Sequence, residues 1–150
     1  MKLPDVNLLL YASDPESDFH QVASSWLEDA LGGSEPVGFA QVTLLGYVRL
    51  STNPAVVGTA LSPGEAFDQV EEWLAQPPAT IAHPGSRHLG IWRSLLEASG
   101  SGGNLTTDAH LAALAIEHAA ALATFDGDFH RFSGLKLDYL QPGGRRPRRG

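Results

Sequence analysis

Several aspartates in this chain stand where a parallel α/β sheet would bring them together. Asp5 follows a short apolar stretch, Asp108 lies near the start of a long apolar helix, and Asp126 follows a predicted strand at 121–124. Open α/β sheets bind ligands outside the carboxyl ends of their strands. We therefore expect these three carboxylates to converge at that edge. Asp128 lies one step further along the same turn and is a fourth candidate.

Converging carboxylates have a limited chemistry. They repel one another unless they are protonated or bridged by a cation. A ligand set made only of oxygen prefers a hard cation, so the expected cofactor is Mg²⁺ or Mn²⁺. Such ions activate water and stabilise the oxygens of a phosphodiester during its cleavage. Taken singly, each aspartate has a structural alternative as a helix cap or a turn residue.

Other site chemistries have no matching motif. The chain has no cysteine, which excludes thiol nucleophiles, thiolate metal sites and disulfides. Among its six histidines, His110 and His118 lie on roughly one face of the predicted central helix, without an HExxH or comparable pair. We interpret both as satisfied or surface residues. No serine-hydrolase elbow, P-loop or dinucleotide fingerprint occurs.

The helix that carries Asp108 is predicted to be buried. Between positions 109 and 119 only two histidines and one glutamate are polar, a pattern typical of a core helix. Thr106 or Thr107 is its predicted N-cap, which places Asp108 in the first turn, where the helix dipole favours a carboxylate. The stretch 121–124 is short and apolar, and we predict a buried parallel strand there.

The rest of the chain alternates between strand and helix patterns. A very short strand begins at Leu3 and runs into a helix near Asp5. Further strands are predicted at 36–40, 80–82 and 135–140, and helices at 17–31, 42–50, 86–99 and from Ser62 to before Pro77. Alternation of this kind favours an α/β domain with a mainly parallel sheet, which we place at residues 1–140.

The charge distribution separates the body from the C-terminus. Of ten basic residues, four lie in the last six positions, which leaves six basic against seventeen acidic residues and a net charge of −11 elsewhere. Such a body binds nucleic acid poorly unless cations neutralise its carboxylates. The segment 141–150 is interpreted as a disordered basic tail, with an arm that binds RNA phosphates as the alternative. No secretory signal or membrane-length apolar run is present, so we expect a cytoplasmic protein with no membrane contact.

Three motifs together carry a family resemblance. Residues 5–12, 104–115 and 123–129, with 36–53 and 131–135 continuing the match, resemble the PIN-domain ribonucleases, and among them the VapC toxins of bacterial toxin–antitoxin systems. The resemblance implies a PIN-like three-layer α/β/α sandwich with a short, mainly parallel central sheet. It implies an Mg²⁺- or Mn²⁺-dependent endoribonuclease toxin that cleaves structured RNA of the tRNA or rRNA class. A cognate VapB-type antitoxin would block the acidic site with an arginine or lysine, and a homodimer is expected.

The resemblance also assigns roles to individual residues. Asp5, Asp108 and Asp126 would be catalytic and bind the metal, and Asp128 would be a further metal ligand. Two polar residues, Asn7 and Thr107, would orient carboxylates or water from a second layer. Apart from the resemblance, Arg49 and Arg131 are the candidate RNA-binding residues as an alternative to the basic tail, and Arg87 and Arg93 are further alternatives.

One departure from the family pattern stands at Gly46. The family commonly has a glutamate there, in the helix after the second strand, and glycine is costly in a helix interior. Gly46 either permits close packing or marks a lost ligand, which leaves a catalytically weakened PIN module, acting by partner or RNA binding, as an alternative. A second alternative is a phosphatase with an aspartate nucleophile. That chemistry would want an aspartate two residues after Asp5, where Asn7 stands.

Overall fold

A five-stranded sheet, parallel throughout, forms the middle layer of the protein. The computed structural model describes residues 1–141. The strands are β1 (Lys2–Pro4), β2 (Val37–Ala40), β3 (Ala79–Ala82), β4 (Ala121–Thr124) and β5 (Lys136–Tyr139), in the order β3-β2-β1-β4-β5. The predicted parallel sheet is confirmed, with β1 in the centre and β5 at an edge. Most of the predicted tail, residues 142–150, lies outside the described residues.

Six helices cover the two faces of the sheet. They are α1 (Val6–Ala12), α2 (His20–Leu31), α3 (Gln41–Ser51), α4 (Pro63–Leu74), α5 (His88–Ser99) and α6 (Leu105–Glu117). One apolar cluster packs α1–α4 together, and a second packs α5 and α6, which gives the predicted three-layer sandwich. None of these helices, all within residues 1–141, is long and apolar enough to cross a membrane.

The central strand is short because of Pro4. The Lys2 N–H donates to the carbonyl of Pro36 on the β2 side, and the Asp5 N–H donates to the carbonyl of Ala123 on the β4 side. Strand N–H groups alternate between neighbours, so Pro4 stands where an N–H would point towards β2, and proline has none. The strand therefore ends at Pro4, and the chain turns into α1 at Asp5.

The start of α6 corrects one prediction. Neither threonine is the N-cap: the helix begins at Leu105, and Asn104 precedes it without a side-chain cap bond. The glycine loop already winds in a helical sense, because the Leu105 and Thr106 N–H groups donate to the carbonyls of Gly102 and Gly103. These bonds satisfy N–H groups that a cap side chain would otherwise serve. Asp108 lies in the first turn, as predicted.

Two other helices begin later than predicted. The α2 helix begins at His20 rather than Ser17, because the Ser17 Oγ accepts from the Phe19 N–H and holds a local turn. The α5 helix begins at His88, because the Glu117 carboxylate accepts from the N–H groups of Gly85 and Arg87. In both places a side chain binds backbone N–H groups outside the helix. The start of α4 at Ser62 and Pro63 is as predicted, with a complete capping box.

Candidate active site

Asp5 is buried where β1 gives way to α1. Its side chain is 6% exposed and serves as the N-cap of α1. The Oδ1 atom accepts from the Val6 N–H at 2.7 Å, and the Oδ2 atom accepts from the Thr124 hydroxyl at 2.7 Å. Burial raises the pKa of Asp5, the two hydrogen bonds oppose that rise, and the charge of Asp126 adds to it. Asp5 is thus both the cap of a helix and part of a carboxylate group.

Thr124 joins three of the polar residues at this edge. It is fully buried at the end of β4. Its hydroxyl donates to Asp5 and accepts from the Asn7 side-chain amide at 3.3 Å and from the Asp126 N–H at 3.0 Å. One donor and two acceptor positions are all that a hydroxyl offers, so its capacity is filled. Sequence reasoning missed Thr124, although its place two residues before Asp126 was a usable signal.

Asn7 links the start of α1 to the turn after β4. Besides its amide bond to Thr124, its Oδ1 accepts from the Phe125 N–H at 3.3 Å. The two hydrogen bonds of Asn7 therefore fix the end of β4 relative to the start of α1, where Asp5 lies. Thr107, the other predicted supporting residue, lies exposed in the first turn of α6 beside Asp108. The supporting role of Thr107 stays a prediction.

Asp126 and Asp128 lie on the turn that follows β4. Asp126 caps a short 3-10 helix (Gly127–Arg131), and its Oδ1 accepts from the Asp128 N–H at 2.9 Å. Asp126 is half-buried, whereas Asp128 is exposed.

Asp108 shows how closely the carboxylates are grouped. Its pKa is raised to about 6, first by burial and then by the negative charges of Asp5, Asp126 and Asp128. Only charges that lie near one another act in this way across a partly solvated surface. The structure thus brings all four predicted aspartates to the carboxyl edge of the sheet, from α1, α6 and the turn after β4.

The donor set fits a hard divalent cation in its chemistry. Residues 1–141 contain no group of three or more histidine, aspartate or glutamate side chains arranged, as they stand, to hold a metal ion. The ligand assignment to Asp5, Asp108 and Asp126 therefore stays a prediction. In its favour, the four carboxylates offer only oxygen ligands, and their mutual repulsion is what a bound cation would relieve.

Arg131 lies beside this acidic group. Its Nε donates to the carbonyl of Asp128 at 3.2 Å, and its charge lowers the pKa of Asp108. The side chain is exposed. Arg49, the other predicted RNA contact, is exposed in the last turn of α3. RNA binding by either arginine stays a prediction.

Gly46 packs α3 against the start of α1. A Cβ atom at this position would lie 3.2 Å from the Cγ2 of Val6, the residue after Asp5. That distance is slightly too short, so a side chain here requires Val6 to shift by a few tenths of an ångström. This close approach favours the packing alternative, and Val6, the residue that an added Cβ would meet, directly follows Asp5 in the chain.

The two histidines considered in the sequence behave differently. The exposed ring of His118 bonds to the carbonyl of His83, a surface role that matches the interpretation. His110 packs edge-on against the rings of His88 and Trp92, and its buried Nδ1 has no hydrogen-bond partner within residues 1–141. His110 is therefore a packing residue whose polar atom is unsatisfied, rather than the satisfied histidine that we expected.

Comparison with known proteins places this arrangement in a family. A family model for the PIN domain matches residues 2–135. The chain belongs to the PIN-domain family. It is 45% identical to ribonuclease VapC37 of Mycobacterium tuberculosis over 92% of this chain and 96% of that protein. It is 39% identical to ribonuclease VapC33 of the same species over 91% of this chain and 95% of that protein.

Solved structures share the fold. VapBC2 from Rickettsia felis, bound to a DNA fragment from its promoter, superposes with a TM-score of 0.67 at 18% identity, over 92% of this chain and 97% of the matched chain. VapBC-1 from nontypeable Haemophilus influenzae gives a TM-score of 0.63 at 15% identity, over 92% and 96%. Family membership leaves the phosphatase alternative without support.

The raised pKa of Asp108 generates a stability prediction. An aspartate has a pKa near 3.9 when unfolded, and Asp108 has a pKa of about 6 when folded. The folded state therefore keeps this proton up to a higher pH than the unfolded state does, and the stability of the fold decreases as the pH rises from about 4 to 6. Asp108→Asn removes the cost of the folded charge. We expect the variant to melt roughly 2–4 °C higher at pH 7.5 in EDTA, since solvent screening limits the cost to about 1 kcal/mol.

The increase in melting temperature of Asp108→Asn should be smaller at pH 4.5, where Asp108 is protonated in the folded protein. Thermal melts at both pH values measure it, and the exposed aspartate of α4, changed as Asp68→Asn, is the control. A variant that melts no higher than the unaltered protein at pH 7.5 contradicts the repulsion argument.

Proposed function

We propose that this PIN-domain protein is a divalent-metal-dependent endoribonuclease toxin of the VapC type. The observation that carries the proposal is the grouping of Asp5, Asp108, Asp126 and Asp128 at one edge of the sheet, close enough to raise the pKa of Asp108 to about 6. The relatives named as ribonucleases support the same activity.

Asp5, Asp108 and Asp126 would hold Mg²⁺ or Mn²⁺, with Asp128 as a further ligand. The bound ion would supply charge neutralisation and an activated water for phosphodiester cleavage. Two residues would position these ligands before the ion binds. Thr124 and Asn7 fix the carboxylate of Asp5 and the turn that carries Asp126. Because the ligands must be ionised, the affinity for metal should rise with pH through about 6.

The substrate and partners follow from the family. We propose structured RNA of the tRNA or rRNA class as substrate, with Arg131 and Arg49 on its phosphates. The superposed neighbours are described as VapBC, and by analogy we propose a VapB-type antitoxin for this chain. A guanidinium or ammonium group of that partner would satisfy the acidic group in place of the metal. Homodimerisation and a cytoplasmic location complete the proposal.

The direct test is RNA cleavage by the purified protein. Total tRNA and a structured rRNA fragment should be cleaved in Mn²⁺ or Mg²⁺ and left intact in EDTA. Asp108→Asn should abolish cleavage while the fold survives, and Asp68→Asn should cleave normally. Persistent cleavage by Asp108→Asn would remove the protein from the metal-dependent class. Failure of the unaltered protein to bind Mn²⁺ or cleave RNA would favour a binding module.

Gly46 favours that second candidate, a catalytically weakened module that acts by binding RNA or a partner. The position commonly held by an acidic residue has no side chain here, although it adjoins Asp5 through Val6. A cation that lacks this additional carboxylate would bind less tightly, with water filling the free position.

The two candidates make different predictions for Gly46→Glu. If the site is catalytic and lacks one ligand, the new carboxylate should increase the affinity for Mn²⁺ by about tenfold and raise the cleavage rate, since changes at metal sites are commonly of this size. Isothermal titration with Mn²⁺ and a single-turnover cleavage assay measure the two effects.

Gly46→Ala is the control for packing. It introduces the Cβ that meets Val6 without supplying a ligand, and overpacking typically costs about 1–3 kcal/mol. If alanine is tolerated while glutamate leaves both metal affinity and rate unchanged, the missing-ligand explanation is wrong.

The hydroxyl of Thr124 gives a further prediction. Thr124→Val keeps the shape of the side chain but removes the donor to Asp5 and the acceptor for the Asp126 N–H. We expect the affinity for Mn²⁺ to fall by about 10- to 100-fold, the usual effect of losing a residue that orients a ligand. Thr124→Ser retains the hydroxyl and should stay within a few-fold of the unaltered protein. Equal loss in both variants would assign Thr124 a packing role only.

A further inference from the structure

Three aromatic rings form a cluster beside the acidic group. The ring centroids of Tyr11 and Phe19 are 4.8 Å apart, those of Tyr11 and Phe125 are 5.3 Å apart, and those of Phe19 and Phe125 are 5.5 Å apart. All three side chains are partly exposed. We call these three residues the aromatic cluster. Its members come from the end of α1, the turn before α2 and the turn after β4. The fold therefore brings Phe125 next to two rings from the N-terminal part of the sequence.

The aromatic cluster adjoins the candidate active site at two points. Phe125 stands between Thr124 and Asp126, and its N–H donates to the Asn7 side chain. Tyr11 lies near enough to Asp5 and Asp126 for both charges, after burial, to raise the pKa of its hydroxyl. A nucleotide that places its phosphate against the carboxylates would therefore find these rings within reach of a neighbouring base.

Among the three rings of the aromatic cluster, the position of Phe19 is the one that packing against the hydrophobic core explains least. Tyr11 and Phe125 pack against the apolar cluster under α1–α4, whereas Phe19 is not among the side chains of residues 1–141 that do so. The chain around this ring is held by two hydrogen bonds: the Phe19 N–H donates to the Ser17 Oγ, and the His20 Nδ1 bonds to the carbonyl of Tyr11. A partly exposed ring held in this way is suited to contact a ligand.

We propose that the aromatic cluster stacks an unpaired nucleobase of the RNA, next to the phosphate that is cleaved. This inference rests on the proposed ribonuclease function and narrows its substrate to RNA with an unstacked base beside the cleavage site. Bases in single-stranded loops and ends are recognised by stacking on aromatic side chains, whereas bases inside a duplex are not accessible to them.

The charge of the protein supports the same conclusion. With a net charge of −11 outside its last six residues, the body offers little general attraction to phosphates. Arg87 donates to the backbone carbonyl of Glu117 at the end of α6, and Arg93 pairs with the carboxylate of Glu97 within α5. Besides Arg49 and Arg131, the affinity for RNA would then depend on contacts that do not involve phosphate charge. Stacking is one of these, so RNA binding should weaken with salt less steeply than in basic RNA-binding proteins.

The test compares single-stranded and duplex RNA with Phe19→Leu, in the Asp108→Asn background so that the RNA stays intact. The probe is a short RNA containing 2-aminopurine, whose fluorescence falls on stacking, together with its fully paired duplex. Loss of one stacked base should weaken single-strand binding by roughly 5- to 150-fold and abolish the quenching, with duplex binding unchanged. Phe67→Leu, at a 54% exposed phenylalanine on α4, is the matched control and should bind as its parent does.

Phe19→Trp guards against a simple folding defect, since a larger ring should restore binding and quenching where leucine does not. The inference is overturned if Phe19→Leu binds single strands as tightly as its parent, if the Phe19-intact protein binds no single strand, or if only capture of the antitoxin is lost. Cleavage by the unaltered protein is scored separately. Normal cleavage with no effect at Phe19 rejects the aromatic cluster alone, whereas absence of cleavage and of Mn²⁺ binding rejects the ribonuclease itself.

Discussion

The hydrogen bond from the Thr124 hydroxyl to the buried carboxylate of Asp5 holds the carboxyl edge together. A buried carboxylate is costly unless it is paired, and the donors that hold Asp5, the Thr124 hydroxyl and the Val6 N–H, are neutral. These bonds offset only part of the desolvation, so the pKa of Asp5 remains raised. A cation shared with Asp108 and Asp126 would offset the remainder. The proposed cation would therefore neutralise the carboxylate charge that the hydrogen bonds of the fold leave uncompensated.

The same hydrogen bond connects two strands that are far apart in sequence. It ties the residue after β1 to the last residue of β4, and Asn7 adds a second link through Phe125. Pro4 ends β1 early enough for Asp5 to cap α1, and Gly46 lets α3 approach Val6 beside it. The backbone geometry around Asp5 is therefore fixed on both sides before any ligand is present.

The sequence predicted the grouping of the aspartates because their positions follow from topology. Residues that end parallel strands, or begin the next helix, must meet at one edge, and Asp5 and Asp126 obey that rule. Thr124 was not predicted, because a threonine in a strand is explained equally well by its preference for β structure. The starts of α5 and α6 were missed because Glu117 and the glycine loop satisfy their N–H groups through contacts that are not visible in local patterns.

Centrally, the carboxylates of Asp5, Asp108 and Asp126 are proposed to share a divalent cation. The most direct measurement is anomalous diffraction at the manganese edge from crystals grown in Mn²⁺ near pH 7.5, above the pKa of Asp108. We expect a single strong peak bounded by these three side chains, at oxygen–metal distances of about 2.1–2.3 Å. A peak elsewhere, or no peak at millimolar Mn²⁺ with the carboxylates unchanged, would contradict it.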